Sequence, residues 1–224
     1  MKSWKLALAV GLLSLGSTAQ AALIMRSAGM VYDDVLNITW APANLWGQTG
    51  NWQEALDWAD QLVYAGFDDW RLASMSVSNL NAATGIGATD DPVNCLAATE
   101  EECRDNELAY NYYYNLTPAG ETPPTVLSTD LTGDQDPFTG IRPHYYSGTE
   151  YATEPLFAWA FLYDGGYQGD GAKVDDTLYD LSAWAVRAGD VAAAPVPGTA
   201  LLMALGLLGL GAGRQKRRAT WAIR

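Results

Sequence analysis

The sequence predicts an α+β body, with two helices packed on a small antiparallel sheet, and a hydrophobic helix near the C-terminal end. Three observations predict it. A segment of helical period follows a capping box at Asn51. Alternating apolar stretches gather at the two ends of the body, as the strands of an antiparallel sheet do. An uncharged apolar run, 199–213, stands between a proline-rich break and a basic cluster.

Taken in order, residues 30–40 read as a strand, with Val31, Leu36, Ile38 and Trp40 apolar and Asp33-Asp34 at a turn. Residues 41–50 read as a loop. The first helix opens at Asn51, with Glu54 three residues on, where a capping-box acid belongs. Trp52, Ala55, Leu56, Ala59, Leu62 and Val63 make its apolar face, and Gly66 ends it. Residues 67–72 turn into a short strand, and 74–92 are polar enough for an exposed loop. Thr99 and Glu102 make a second capping box, which opens a helix running through Tyr112. Glutamates in its first turn suit the helix dipole. Residues 116–143 read as a loop. Strands at 145–147, 155–163 and 178–186 close the body.

The two ends carry addresses. Lys2 and Lys5, an apolar run over 6–15 and the small-residue site Ala19-Gln20-Ala21 read as a signal peptide over 1–21, cleaved near Ala22. At the other end, residues 192–224 form a separate segment. Pro195-Val196-Pro197-Gly198 breaks the preceding structure. A hydrophobic helix is expected over 196–213, and Arg214, Lys216, Arg217 and Arg218 follow it. Its uncharged run would span roughly 22 Å at 1.5 Å per residue, short of the ~30 Å hydrocarbon core. The basic cluster should stay cytoplasmic, so the body lies outside and the anchor suits transient holding. A plain tail anchor is the alternative.

Between the ends lie about 170 residues, 22–191, a single-domain length. All 26 acidic residues fall there, against six basic ones, for a formal charge of −20. Such a field excludes nucleic acid and anionic membrane surfaces as partners. Cys95 and Cys103 are the only cysteines, and in an exported chain they read as a disulfide. With His144 the only histidine, a nucleophile–histidine pair would depend on it alone, and a strand-edge place suits it better. No catalytic residue is named, so the reading is non-enzymatic. A carboxylate pair acting on glycans is the alternative. Asp130, Asp134 and Asp136 share one Gly/Thr loop, and Asp164, Asp170, Asp175 and Asp176 another. Each offers hard oxygens for calcium, and each also suits a solvated acidic loop. Tyr110, Tyr112, Tyr113 and Tyr114 could stack on sugars, though neighbours on a helix face different ways, so some belong to the core. Arg71 and Arg187 suit structural ion pairs, and Trp70 and Trp184 suit core anchors.

Two resemblances follow from these residues. The proline-rich tripeptide, apolar run and arginine cluster of 195–218 resemble the PEP-CTERM sorting signal, with Ala194-Pro195-Val196-Pro197 where that family usually has Val-Pro-Glu-Pro. The resemblance implies an exosortase-type protease as partner and association with extracellular polysaccharide. The body carries Ile38-Thr39-Trp40, Trp52-Gln53-Glu54-Ala55-Leu56-Asp57-Trp58-Ala59, Gly66-Phe67-Asp68-Asp69-Trp70-Arg71-Leu72, Tyr145-Tyr146-Ser147, Asp164-Gly165 and Trp184-Ala185-Val186-Arg187. In that order they resemble the Lcl C-terminal domain family. That resemblance implies a C-type-lectin-like fold and an extracellular binding or scaffold module. The Glu-Pro-Asn, Gln-Pro-Asp and Trp-Asn-Asp motifs of calcium-dependent sugar readers are missing, and Gln135-Asp136-Pro137 has the letters of one in the wrong order.

Overall fold

The computed structural model of the chain describes residues 22–46, 50–80, 91–117, 130–174 and 180–191. Strands hold 32% of them and helices 19%. The expected α+β, C-type-lectin-like body of two helices on one small antiparallel sheet is therefore corrected. Among the described residues there are three sheets and three α-helices, and sheet dominates. The hydrophobic helix expected over 196–213 lies outside the described residues. No helix among those described is long and apolar enough to cross a membrane.

The first sheet has five strands. β1 (Leu23–Met25), β2 (Val31–Asp33) and β3 (Ile38–Trp40) form a meander, and β11 (Ala185–Ala188) lies between β3 and β4 (Arg71–Leu72). Every pairing in it is antiparallel. The predicted 30–40 strand thus splits into a hairpin, because Asp33 is buried at the turn. Its Oδ1 accepts the amides of Val35 (3.0 Å) and Leu36 (2.9 Å). Asn37, at φ 52, turns the chain back.

α1 (Trp52–Asp60) forms behind the expected capping box. Asn51 Oδ1 accepts the Glu54 amide and the Glu54 carboxylate accepts the Asn51 amide. Trp52, Ala55, Leu56 and Ala59 are buried as the periodicity requires. The helix stops at Gln61, not Gly66, so Val63 falls out of register and is 72% exposed.

The second expected helix is broken in two. α2 (Glu100–Cys103) starts at the Thr99–Glu102 capping box. α3 (Glu107–Tyr110) restarts at Asn106, whose side chain accepts the Ala109 amide (3.1 Å). It runs on as a π-helical turn over Asn111–Leu116.

The second sheet has the order β10 (Ser182–Ala183), β7 (His144–Glu150), β8 (Phe157–Leu162), β9 (Tyr167–Ala172). β10 pairs parallel with β7, against the all-antiparallel expectation. The loop expected over 116–143 instead contains a hairpin, β5 (Gly133–Gln135) and β6 (Phe138–Ile141). The core lies around Trp184, whose ring sits 4.9 Å from Trp40, 5.1 Å from Phe138, 5.1 Å from Tyr145 and 5.6 Å from Tyr163. Its indole N–H donates to Ala41 O (2.8 Å), so the ring buries its whole apolar area without an orphaned donor. Trp70 is also buried, and both tryptophans act as the expected anchors.

Candidate functional site

The β8–β9 hairpin builds one wall of a cleft of about 290 Å³. Phe161 and Trp159, two residues apart on β8, share a face; Phe161 is fully buried in the core, and Trp159 packs half-buried at the edge of the same cluster. Gln168 and Tyr167 stand at the start of β9, and Tyr167 is 48% exposed. The turn between the strands is held by Gly166, at φ +70. A Cβ there would sit 2.6 Å from the buried ring of Tyr112, so only glycine fits.

The opposite wall is the segment around Cys95. The Cys95 and Cys103 sulfurs lie at bonding distance, 1.96 Å, with Cα atoms 5.1 Å apart. This ties the segment to the end of α2, and both cysteines are buried. Asn94 and Leu96, on either side of Cys95, line the cleft. Asn94 spends its side-chain oxygen on the Leu96 amide (3.0 Å). Its amide hydrogens have no partner among the described residues. Asn106 bridges the two walls, donating to Val93 O (3.1 Å) and to Gln168 Oε1 (3.0 Å). Gln168 in turn donates to Pro92 O (3.3 Å). One amide hydrogen and one lone pair of Gln168 stay unspent by these contacts.

Tyr113, from the π-helical turn, completes the lining. Its hydroxyl donates to Gly166 O. Burial pushes its pKa upward, as do neighbouring Tyr112 and Tyr167, so the phenol stays neutral. The cleft is thus lined by aromatic rings and amides, with no Asp, Glu, Lys, Arg or His among its described lining residues. The Trp159 indole N–H is buried without a hydrogen-bond partner among the described residues. Walls cross-braced by Asn106 and by the cysteine pair hold the shape without a ligand, which lowers the ordering cost of binding.

The residues singled out from sequence fall elsewhere. Asp130 turns its carboxylate onto the Thr132 hydroxyl (2.7 Å) and amide (2.9 Å), which lower its pKa. Asp134 accepts the Gly140 amide (2.9 Å), and Asp136 precedes Pro137 in the β5–β6 turn. Among the described residues, no group of three or more His, Cys, Asp or Glu side chains could hold a metal ion, so Asp130, Asp134 and Asp136 are not assembled as a calcium site. Asp175 and Asp176 of the second acidic loop lie outside the described residues. His144 opens β7 and its Nε2 lies 3.2 Å from Asp164 Oδ2. Tyr110, Tyr112 and Tyr113 are buried, and Tyr114 stacks on Tyr110 at 5.0 Å, so of the four only Tyr113 reaches the cleft.

Arg71 and Arg187 make the expected ion pairs. Arg71 forks onto Glu107 with bonds of 2.6 and 2.8 Å, and Arg187 onto Asp69 with 2.6 and 2.8 Å. Hydrogen bonding from Arg187 holds the Asp69 carboxyl below its usual range. Ala19, Ala21 and the sorting residues Pro195, Val196, Pro197, Gly198, Arg214, Lys216, Arg217 and Arg218 lie outside the described residues.

Sequence reasoning missed Asn94, Trp159, Tyr167 and Gln168. Trp159 read as part of a buried strand because Phe157, Trp159 and Phe161 alternate with Ala158, Ala160 and Leu162. The one local signal was Asp164-Gly165-Gly166 straight after a strand, a hairpin turn that leads into β9. No family model, curated protein or solved structure matches the chain.

Proposed function

We propose that this chain is an exported binding protein, delivered by its two ends to the outer cell envelope or the extracellular polysaccharide matrix. Residues 1–21 act as the leader. Residues 192–224 act as a sorting segment, held briefly at the membrane by its apolar run and handed to an exosortase-like protease at Pro195–Gly198. The likeness of the body's ordered motifs to the Lcl C-terminal domain family supports the same reading, since that family implies an extracellular module. The body binds; it does not catalyse.

One observation carries the binding reading. The aromatic and amide lining of the cleft, rigid and uncharged, suits recognition: rings give contact area and amides give direction. Proton transfer would need a titratable group within reach of a substrate, and the described lining residues supply only phenols, of which Tyr113 is committed to Gly166.

Co-sedimentation of the exported protein with the extracellular polysaccharide of its native host tests this. The protein is expected to pellet with the polymer equally with and without a chelator, and Trp159→Ala is expected to leave it in the supernatant. Release of shortened sugars, or a wild-type protein that never pellets, contradicts it.

A further inference from the structure

We infer that the cleft seats a single uncharged pyranose unit, and that it rejects sugars bearing carboxylate, sulfate or phosphate. The inference rests on the binding reading above and names its ligand class. Size comes first. About 290 Å³ stands at the small end of ligand sites, which run roughly 300–1,000 Å³. It suits one ring or a chain end rather than a polymer laid lengthwise.

Charge comes next. An anionic sugar entering the cleft would shed water and find no cationic side chain among the described lining residues. It would also climb the field of a body carrying a formal −20. A cation would be drawn by that field, yet the described lining residues hold no carboxylate to pair with it. An uncharged polar ligand remains. It must cover aromatic surface from Trp159 and Tyr167 while meeting the amides of Asn94 and Gln168, which line the same cleft. A pyranose does both. Its axial C–H groups make an apolar face that lies on a ring. Its equatorial hydroxyls both donate and accept, which matches the unspent amide hydrogens of Asn94 and the spare donor and lone pair of Gln168.

Calorimetric titration of the exported protein with two panels tests it. One panel holds neutral oligosaccharides of glucose, galactose, mannose and N-acetylglucosamine, and the other holds oligomers of galacturonate and glucuronate. At least one neutral sugar is expected to bind, with acidic oligomers at least about tenfold weaker. Trp159→Ala is expected to abolish binding. Trp159 also packs against Tyr151 at 4.8 Å, so this variant could unfold locally. Asn94→Ala, at an exposed position outside the core, is the safer variant and is expected to weaken binding about tenfold. Acidic oligomers that bind as tightly as neutral ones, and lose affinity on Asn94→Ala, overturn the ligand class and leave the binding reading standing. Neutral sugars that bind both variants unchanged overturn the site. Absence of binding to either panel overturns both the inference and the sugar-binding reading.

Discussion

Arg71 shows how a single residue couples two halves of the fold. Burial alone would lower its pKa, and the Glu107 carboxylate more than offsets that, so the guanidinium stays charged. Glu107 also accepts the Ser74 amide (2.7 Å) and is 1% exposed. Glu107→Gln leaves a mostly buried cation without its counter-charge. Removing one partner of such a pair costs about 3–5 kcal/mol, and the partial exposure of Arg71 places the expected loss near about 3. Urea unfolding should show a lower midpoint with an unchanged slope. A loss under about 1 kcal/mol would mean that the pair is solvated like a surface one.

Asp33 works in the opposite sense. Burial raises its carboxyl pKa, against hydrogen bonds from Leu36, Asn115 and Val35. The folded state therefore keeps this proton to higher pH than the unfolded chain does. Its stabilising share is full below the ordinary aspartate value and is lost as pH rises through the raised one. The stability of Asp33→Asn relative to wild type should improve between about pH 4 and about pH 7. A difference that stays constant across that range contradicts this. Of these three residues only Arg71 announced a partner in the sequence. Which carboxylate would meet it was not readable, because Glu107 lies 36 residues away and reaches it through the break between α2 and α3.

At the scale of elements, capping chemistry was legible and strand content was not. Asn51 and Thr99 start helices as their spacing demands, since a capping box is a local, three-residue device. β5, β6 and β9 were hidden because they are rich in glycine, aspartate and threonine, and the first two are poor strand formers alone. They form through pairing: β9 matches β8 over six residues, from Tyr167 against Leu162 to Ala172 against Phe157. The cleft was hidden for the same reason. Asn94 and Trp159 are distant in sequence, and their walls meet only through tertiary links: the Asn106 bridge, the Gln168–Pro92 bond and the Cys95–Cys103 tie to α2. Gly166→Ala probes that hairpin. It places a Cβ 2.6 Å from Tyr112 at a left-handed φ. The expected cost is about 1–3 kcal/mol, with a changed near-ultraviolet tyrosine signal and loss of ligand binding. A variant as stable as wild type would show that the turn can relax.

Over the whole molecule, the division of charge is the most readable feature. The body holds every acidic residue, and seven of the 13 basic ones stand in the two ends. An acidic, sheet-built body with a cross-braced cleft and a buried cysteine pair suits an oxidising exterior. The ends suit delivery to it. Binding depends on that delivery, because a body that stays in the cytoplasm meets neither oxidant nor polysaccharide. Intact-mass analysis of the protein recovered from each cell fraction of its native host tests it most directly. An extracellular or envelope form is expected to start near Ala22 and end near Pro195–Gly198, without the basic tail. A cytoplasmic protein with both ends intact would contradict it.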